Sequence, residues 1–356
     1  MNRALVDRIA DAVLYEGYIL YPYRPSIKNR QRWTFGGLFP EEYSRSQRNG
    51  DASTNQTQCL VRGDRATVVD VRVRFLHLTA RRVGVVEPVL AAWPDDGSEP
   101  PFHPVESLRS GGTIFQTWQE AEQREATLGE TTLGELRDQS RETSFGFEGG
   151  RRIDPIREPG RGAVGVIVRE QKPVRGAVEA SAAEVAEGLF RLTVRVACRS
   201  ALDGLAEMER DAALLRSLVA THSVLTVRDG AFVSLLDPPE PWREAAAGCR
   251  SIGGWPVMVG EEGATDTILA SPIILYDYPK IAPESLGDLF DGTEIDEILS
   301  LRIMTLTEDE KACMAAIDDR ARALLARTDS MEREQLMGLH GTVRGAFPAP
   351  GEAGRG

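Results

Sequence analysis

Cysteine and histidine are scarce in this chain, with four of each in 356 residues. Cys59, Cys198, Cys249 and Cys313 lie far apart, with no C-x-x-C and no histidine at ligand spacing, which excludes a local zinc motif and a disulfide framework. They read as reduced, buried small side chains, so no metal and no cofactor is expected. His77, His103, His222 and His340 are equally dispersed. No G-x-x-x-x-G-K-[ST] phosphate loop, H-E-x-x-H zinc helix or G-x-S-x-G nucleophile elbow occurs. Long apolar runs are missing too, and none approaches the roughly 18 residues that cross a bilayer. Asp7 and Asp11 interrupt the first apolar stretch, unlike the centre of an export signal, so a cytoplasmic chain is expected.

What is present is an ordinary globular balance, 42% hydrophobic and 27% charged residues. The length suits two domains at about 150 residues each. A net charge of −12 argues against nucleic acid and anionic membranes as partners. That charge is unevenly placed. Residues 1–82 hold 14 Lys+Arg and 8 Asp+Glu, a net of +6, so the remainder carries −18. The N-terminal part is either locally Arg-rich or a docking surface for the acidic remainder or an acidic partner.

Leu5, Ile9, Ala12 and Val13 share a helical face, so an amphipathic helix opens the chain. Residues 15–33 follow with Tyr15, Tyr18, Tyr21, Tyr23 and Trp33 among Arg24, Lys28, Arg30 and Arg32. Proline and glycine there predict an extended, irregular arm. Tyr and Trp suit half-buried contacts with a wet end, so Tyr15, Tyr18, Tyr21, Tyr23, Arg24 and Trp33 are candidate partner-binding residues or a clamp onto the fold. Residues 44–58 are polar and read as an exposed loop. Val69, Val71, Val73 and Phe75 alternate with Asp70, Arg72 and Arg74, which predicts a strand with one wet face. Residues 189–199 and 163–168 read as further strands, and 114–128 as a weaker, polar one. His77 continues the apolar row and reads as a core histidine. Such strands without long helical patterns between them predict an antiparallel sandwich or barrel.

The character changes near residue 203. Leu205, Met208, Ala212, Leu215 and Val219 trace a helical stripe, and Asp229-Gly230 between two apolar runs predicts a hairpin. Thr307-Glu-Asp-Glu310 is a capping box at a helix start. Residues 260–310 carry 13 Asp+Glu, among them Asp288, Asp291, Glu294 and Asp296, whose spacing fits helix capping by Thr293 and Asp296 better than a calcium loop. The expectation is an α+β chain. Residues 1–203 form a mainly antiparallel β sandwich or barrel-like domain with an N-terminal helix and the aromatic, basic arm. Residues 204–345 form a smaller mixed or helical part, and 346–356 a disordered tail.

Two strings carry a resemblance. Residues 14–29, running on to Trp33-Thr-Phe-Gly36, and residues 271–300, with Trp255-Pro-Val between them, are similar to a family of bacterial proteins associated with gene clusters of [NiFe] uptake hydrogenases. The resemblance covers about residues 14–327 and implies a non-catalytic accessory role in hydrogenase assembly, with a hydrogenase subunit or accessory factor as protein partner. It transfers no catalytic residue. The alternative is an enzyme acting on a small molecule, with its site in the cleft between the two parts.

Overall fold

The computed structural model describes residues 3–19, 35–47, 50–94, 98–204, 209–280, 303–315, 322, 325–326 and 328–330. The chain opens with helices α1 (Arg3–Ile19) and α2 (Glu41–Ser46), then strands β1 (Thr54–Arg62) and β2 (Val68–Leu90). Short strands β3 (His103–Val105), β4 (Ser107–Ser110) and β5 (Thr113–Gln116) precede β6 (Trp118–Thr127) and β7 (Thr131–Thr132). Helix α3 (Leu133–Asp138) leads to β8 (Arg141–Phe147), β9 (Gly150–Glu158), β10 (Gly162–Gln171), β11 (Val174–Ala186) and β12 (Leu189–Cys198). After α4 (Arg210–Leu214) come β13 (Val219–Arg228), β14 (Ala231–Val233), α5 (Arg243–Ala247), β15 (Trp255–Met258), β16 (Thr267–Ser271) and α6 (Glu308–Ala315).

Two antiparallel sheets face each other. One has the order β14-β1-β12-β11-β8; the other runs β15-β16-β13-β2-β10-β9, with β3, β6 and β7 also on β2. The period-two rows meet between them: Val69, Val71, Val73 and Phe75 of β2 pack with Cys59 and Val61 of β1, Leu192, Val194 and Val196 of β12, and Leu225 and Val227 of β13. This is the sandwich-like α+β architecture expected from the alternation, with a helix at the N-terminus. Both sheets run across residue 203, since β13 pairs with β2 and β14 with β1.

The second face of β2 differs from the expectation of a wet one. Helix α1 lies over it, burying Val6, Ile9 and Ala10 against Val224, Val257 and Leu269, and Leu14 in a neighbouring cluster with Leu76 and Leu78. Arg72 and Arg74 are buried beneath that helix. Tyr15 and Tyr18 fall within its helical backbone, so the irregular arm does not begin at residue 15. Residues 44–58 are not a loop either. Part of them forms β1, whose buried polar side chains are satisfied by distant backbone: Thr57 Oγ1 donates to Gly254 O at 3.0 Å, and Asn55 Oδ1 accepts from Val196 N at 3.2 Å.

Asp229-Gly230 turns the chain, but not into a hairpin. β13 belongs to one sheet and β14 to the other, so the turn is a corner, held by Thr67 Oγ1 donating to Asp229 O at 2.9 Å. The helical stripe ends early: α4 has 5 residues, and Val219 begins a strand. The polar strand of 114–128 divides into β5 and β6. The capping box of α6 forms, with Glu310 N donating to Thr307 Oγ1 at 3.3 Å and Thr307 N to Glu310 Oε2 at 2.9 Å. The acidic candidates Asp288, Asp291, Glu294 and Asp296, and the tail 346–356, lie outside the described residues.

Candidate functional site

The three thiols among the described side chains sit in surroundings that suppress nucleophilicity. Cys59 belongs to the inward row of β1, and burial pushes its thiol far up. Cys198 is raised by burial as well, partly offset by its contact with Ser200 Oγ at 3.5 Å, and half-buried Cys249 is raised for the same reason. A thiol held protonated is a poor nucleophile and a poor metal ligand. His77 Nε2 lies 2.7 Å from Lys172 O, and burial lowers its basicity. His222 is fully buried on β13, where desolvation pulls it down to about 3. Its Nδ1 donates to Ala220 O at 3.2 Å, leaving Nε2 as an acceptor without a partner. His222 stands beside Arg74 in the register of β13 and β2, whereas Cys249 packs with Leu60 and Leu189 on the other sheet, so these two do not form a Cys–His pair. Among the described residues no group of three His, Cys, Asp or Glu side chains could hold a metal ion.

Gly160-Arg-Gly-Ala-Val-Gly165 has the letter spacing of a dinucleotide fingerprint, but it turns from β9 into β10, with a strand where the fingerprint needs a helix. A Cβ on Gly162 would meet Leu90 O at 2.2 Å, and one on Gly165 would meet Gly84 O at 2.7 Å. These glycines let β10 approach β2 at a bulge.

Charge is concentrated beneath α1. Asp7 and Asp11, one turn apart, reach Arg72 and Arg74: Arg72 Nη2 lies 3.4 Å from Asp7 Oδ1, and Arg74 pairs with Asp11. Glu125 of β6 adds contacts at 3.5 Å to Arg72 and 3.8 Å to Arg74. The two aspartates that interrupt the apolar face of α1 are therefore the counter-ions of a buried arginine pair. That assignment is structural, because every one of these groups is spent on another.

A cavity of about 280 Å³ opens between β2, the start of β6 and α4, lined by Ala80, Arg81, Thr117, Trp118, Asp211 and Leu214 among others. Its cations are already engaged: Arg81 Nη1 meets Glu120 Oε1 at 3.0 Å, and Arg82 meets Glu170 at 2.5 Å.

Residues 271–280 present a different arrangement. Ser271 Oγ donates to Ile273 O at 2.7 Å, and Ile273 and Leu275 pack against the core beneath α1. Asp277 accepts from Ser234 Oγ at 2.5 Å and from Met258 N at 2.8 Å, while Tyr278 N donates to Met258 O and its hydroxyl to Ala264 O. Between these anchors Ile274 and Tyr276 stand 78% and 84% exposed. Sequence reading did not single them out, because the run Ile-Ile-Leu-Tyr-Asp-Tyr is apolar at both parities and gives no sign of which row faces out. Of the partner-binding candidates, Tyr15 and Tyr18 lie on α1, and Tyr21, Tyr23, Arg24 and Trp33 lie outside the described residues. No protein-family model matches the chain, and no curated protein is similar to it. No helix among the described residues is long and apolar enough to cross a membrane.

Proposed function

We propose that this chain is a cytoplasmic, non-catalytic binding or assembly protein that supports [NiFe]-hydrogenase biogenesis, with residues 271–280 as part of its partner surface. The observation that carries the reading is the pair Ile274 and Tyr276, held outward by a segment pinned on either side. Large apolar side chains fixed in water at low remaining entropy cost are what a protein interface uses as anchors. This segment also belongs to one of the two strings that resemble the hydrogenase-associated family. Among the described residues, the protonated thiols of Cys59, Cys198 and Cys249 and the paired carboxylates support a role without covalent chemistry.

The test is affinity capture of the chain from its host, grown with hydrogenase expressed, followed by mass spectrometry. A hydrogenase subunit or accessory factor is expected to co-purify, and to be lost from the Ile274→Ser, Tyr276→Ser variant. Capture unchanged in the variant removes this surface, and capture without any hydrogenase protein removes the hydrogenase link.

The enzyme reading draws on the cavity between β2, β6 and α4, whose walls come from both sides of residue 203. It predicts that a small polar metabolite raises the melting temperature of the wild type but not of Asp211→Ala. A panel of metabolites giving no shift removes it.

A further inference from the structure

The outer edges of the two sheets are finished differently. β9 carries Pro155 among charged residues, and β15 carries Pro256, with the N–H and C=O of Met258 taken by Asp277 and Tyr278. β14 is 3 residues long, and its Phe232 N donates to Thr265 O. Proline, shortness and capping by a loop are the devices that stop a sheet edge from adding a strand. β8, with 7 residues, has none of them.

Neighbouring bonds fix which of its backbone groups point outward. Arg175 N donates to Ser200 Oγ and Arg175 O accepts from Arg199 N, both on the β12 side. Alternation then turns Gly176 and Val178 toward β8, where Phe145 and Thr143 face them. Glu142, Ser144 and Gly146 therefore direct their N–H and C=O groups away from the sheet, and no described residue bonds them. The side chains give a second, independent sign. Phe145 and Phe147 point inward, each 5.8 Å from the Phe75 ring, yet both remain half-buried because no strand lies beyond them.

We propose that β8 pairs with β8 of a second copy of this chain, antiparallel about a two-fold axis at Ser144, joining the two five-stranded sheets into one. The sequence of the strand is self-complementary in that register. Glu142 faces Gly146 of the second copy, and Gly146 has no side chain because Arg175 lies across it, with Nη1 2.9 Å from where a Cβ would sit. Each Glu142 thus meets the Arg175 of the other copy, twice by symmetry, in exchange for exposed partners within its own chain, Arg199 at 3.7 Å from Glu142 and Glu148 at 2.5 Å from Arg175. Ser144 faces Ser144 without a charge clash. The inward rows place Thr143 beside Phe145 of the second copy, covering the half-buried rings.

The experiment is sedimentation equilibrium of the full chain and three variants, with circular dichroism melts as the folding control. The wild type is expected at twice the chain mass of 39.0 kDa. Ser144→Pro removes an outward donor while leaving the bonds to β11, and Glu142→Arg sets two cations against each other; both are expected at the single-chain mass. The swap Glu142→Arg, Arg175→Glu is expected to restore the doubled mass. A wild type that stays at the single-chain mass at every concentration overturns the proposal, as does a doubled mass that survives Glu142→Arg. If Ser144→Pro fails to fold, Glu142→Arg and the swap decide between these outcomes alone.

Discussion

His222 shows how a single buried side chain couples this fold to acid. In the folded chain its imidazole is held neutral by desolvation, pulled to about 3, against about 6.5 when unfolded. The fold favours the neutral form, so the stability it contributes is complete above pH 6.5 and is lost as pH falls from there toward 3. Each pH unit in that window costs about 1.4 kcal/mol for one proton taken up on unfolding. His77, also lowered by burial, acts in the same direction. Urea midpoints measured across this range are expected to fall more steeply for wild type than for His222→Asn, by about one proton. At the same scale, Val73→Asp places an unpaired charge in the sandwich core and should cost about 3 kcal/mol or more. Arg72→Asp is expected to be comparably harmful, because the new carboxylate would face Asp7 and Glu125. Read from the alternation alone, residue 72 belongs to a wet face and tolerates the change. Equilibrium unfolding of the two variants distinguishes a covered face from a wet one.

Among elements, α1 is the one whose attachment is least legible in the sequence. Its apolar spacing predicts a helix, and the helix forms, but nothing local says that Asp11 will meet Arg74, 63 residues on. Arg74 is 5% exposed at its side chain and Asp11 40%, so removing the carboxylate leaves a buried cation that water reaches only in part. Asp11→Ala should cost about 2–3 kcal/mol, whereas Glu41→Ala, which breaks the exposed pair with Arg45, should cost under about 1 kcal/mol. Replacing both partners, Arg74→Met with Asp11→Leu, is expected to recover most of the loss in thermal melts. The strands were readable where side-chain polarity alternates, as in β2, β10 and β12. β1 was not, because Asn55 and Thr57 are polar yet buried, and the groups that satisfy them come from Gly254 and Val196. Likewise the chemistry of Asp229-Gly230 announces a turn, but only the pairing of β14 with β1 makes it a corner.

At the scale of the whole sheet, one row sets like charges opposite one another and separates them with shared carboxylates. Arg169 faces Arg81 on β2 and Arg152 on β9 in direct register. Glu120 bridges Arg81 and Arg169 at 3.0 and 2.7 Å, and Asp154 bridges Arg169 and Arg152, each at 2.8 Å. The row spans four strands and ties the far end of β2 to its neighbours. Glu120→Gln leaves two arginines facing each other and should cost about 2–3 kcal/mol, more at low salt than at high salt. A denaturation midpoint insensitive to the substitution would show that the row carries no net stability. The candidate surface at 271–280 was legible only as a family-like string, since exposure depends on which neighbours cover a residue.

The corner at Asp229-Gly230 has a consequence for how the chain is made. β1 lies between β12 and β14, and its register partner Ala231 stands about 170 residues after Arg62. At 5–20 residues per second, a ribosome needs roughly 10–30 s to supply that strand after β1 has emerged. Until then β2 lacks its β13 neighbour and β1 its β14 neighbour, although β8, β11 and β12 are already made, so these two strand edges are open to other nascent chains. Newly made protein is therefore expected to depend on holding chaperones until residues 219–233 leave the exit tunnel. A chain stopped at residue 203 should remain bound to them or aggregate, while one stopped after residue 280 should be released folded.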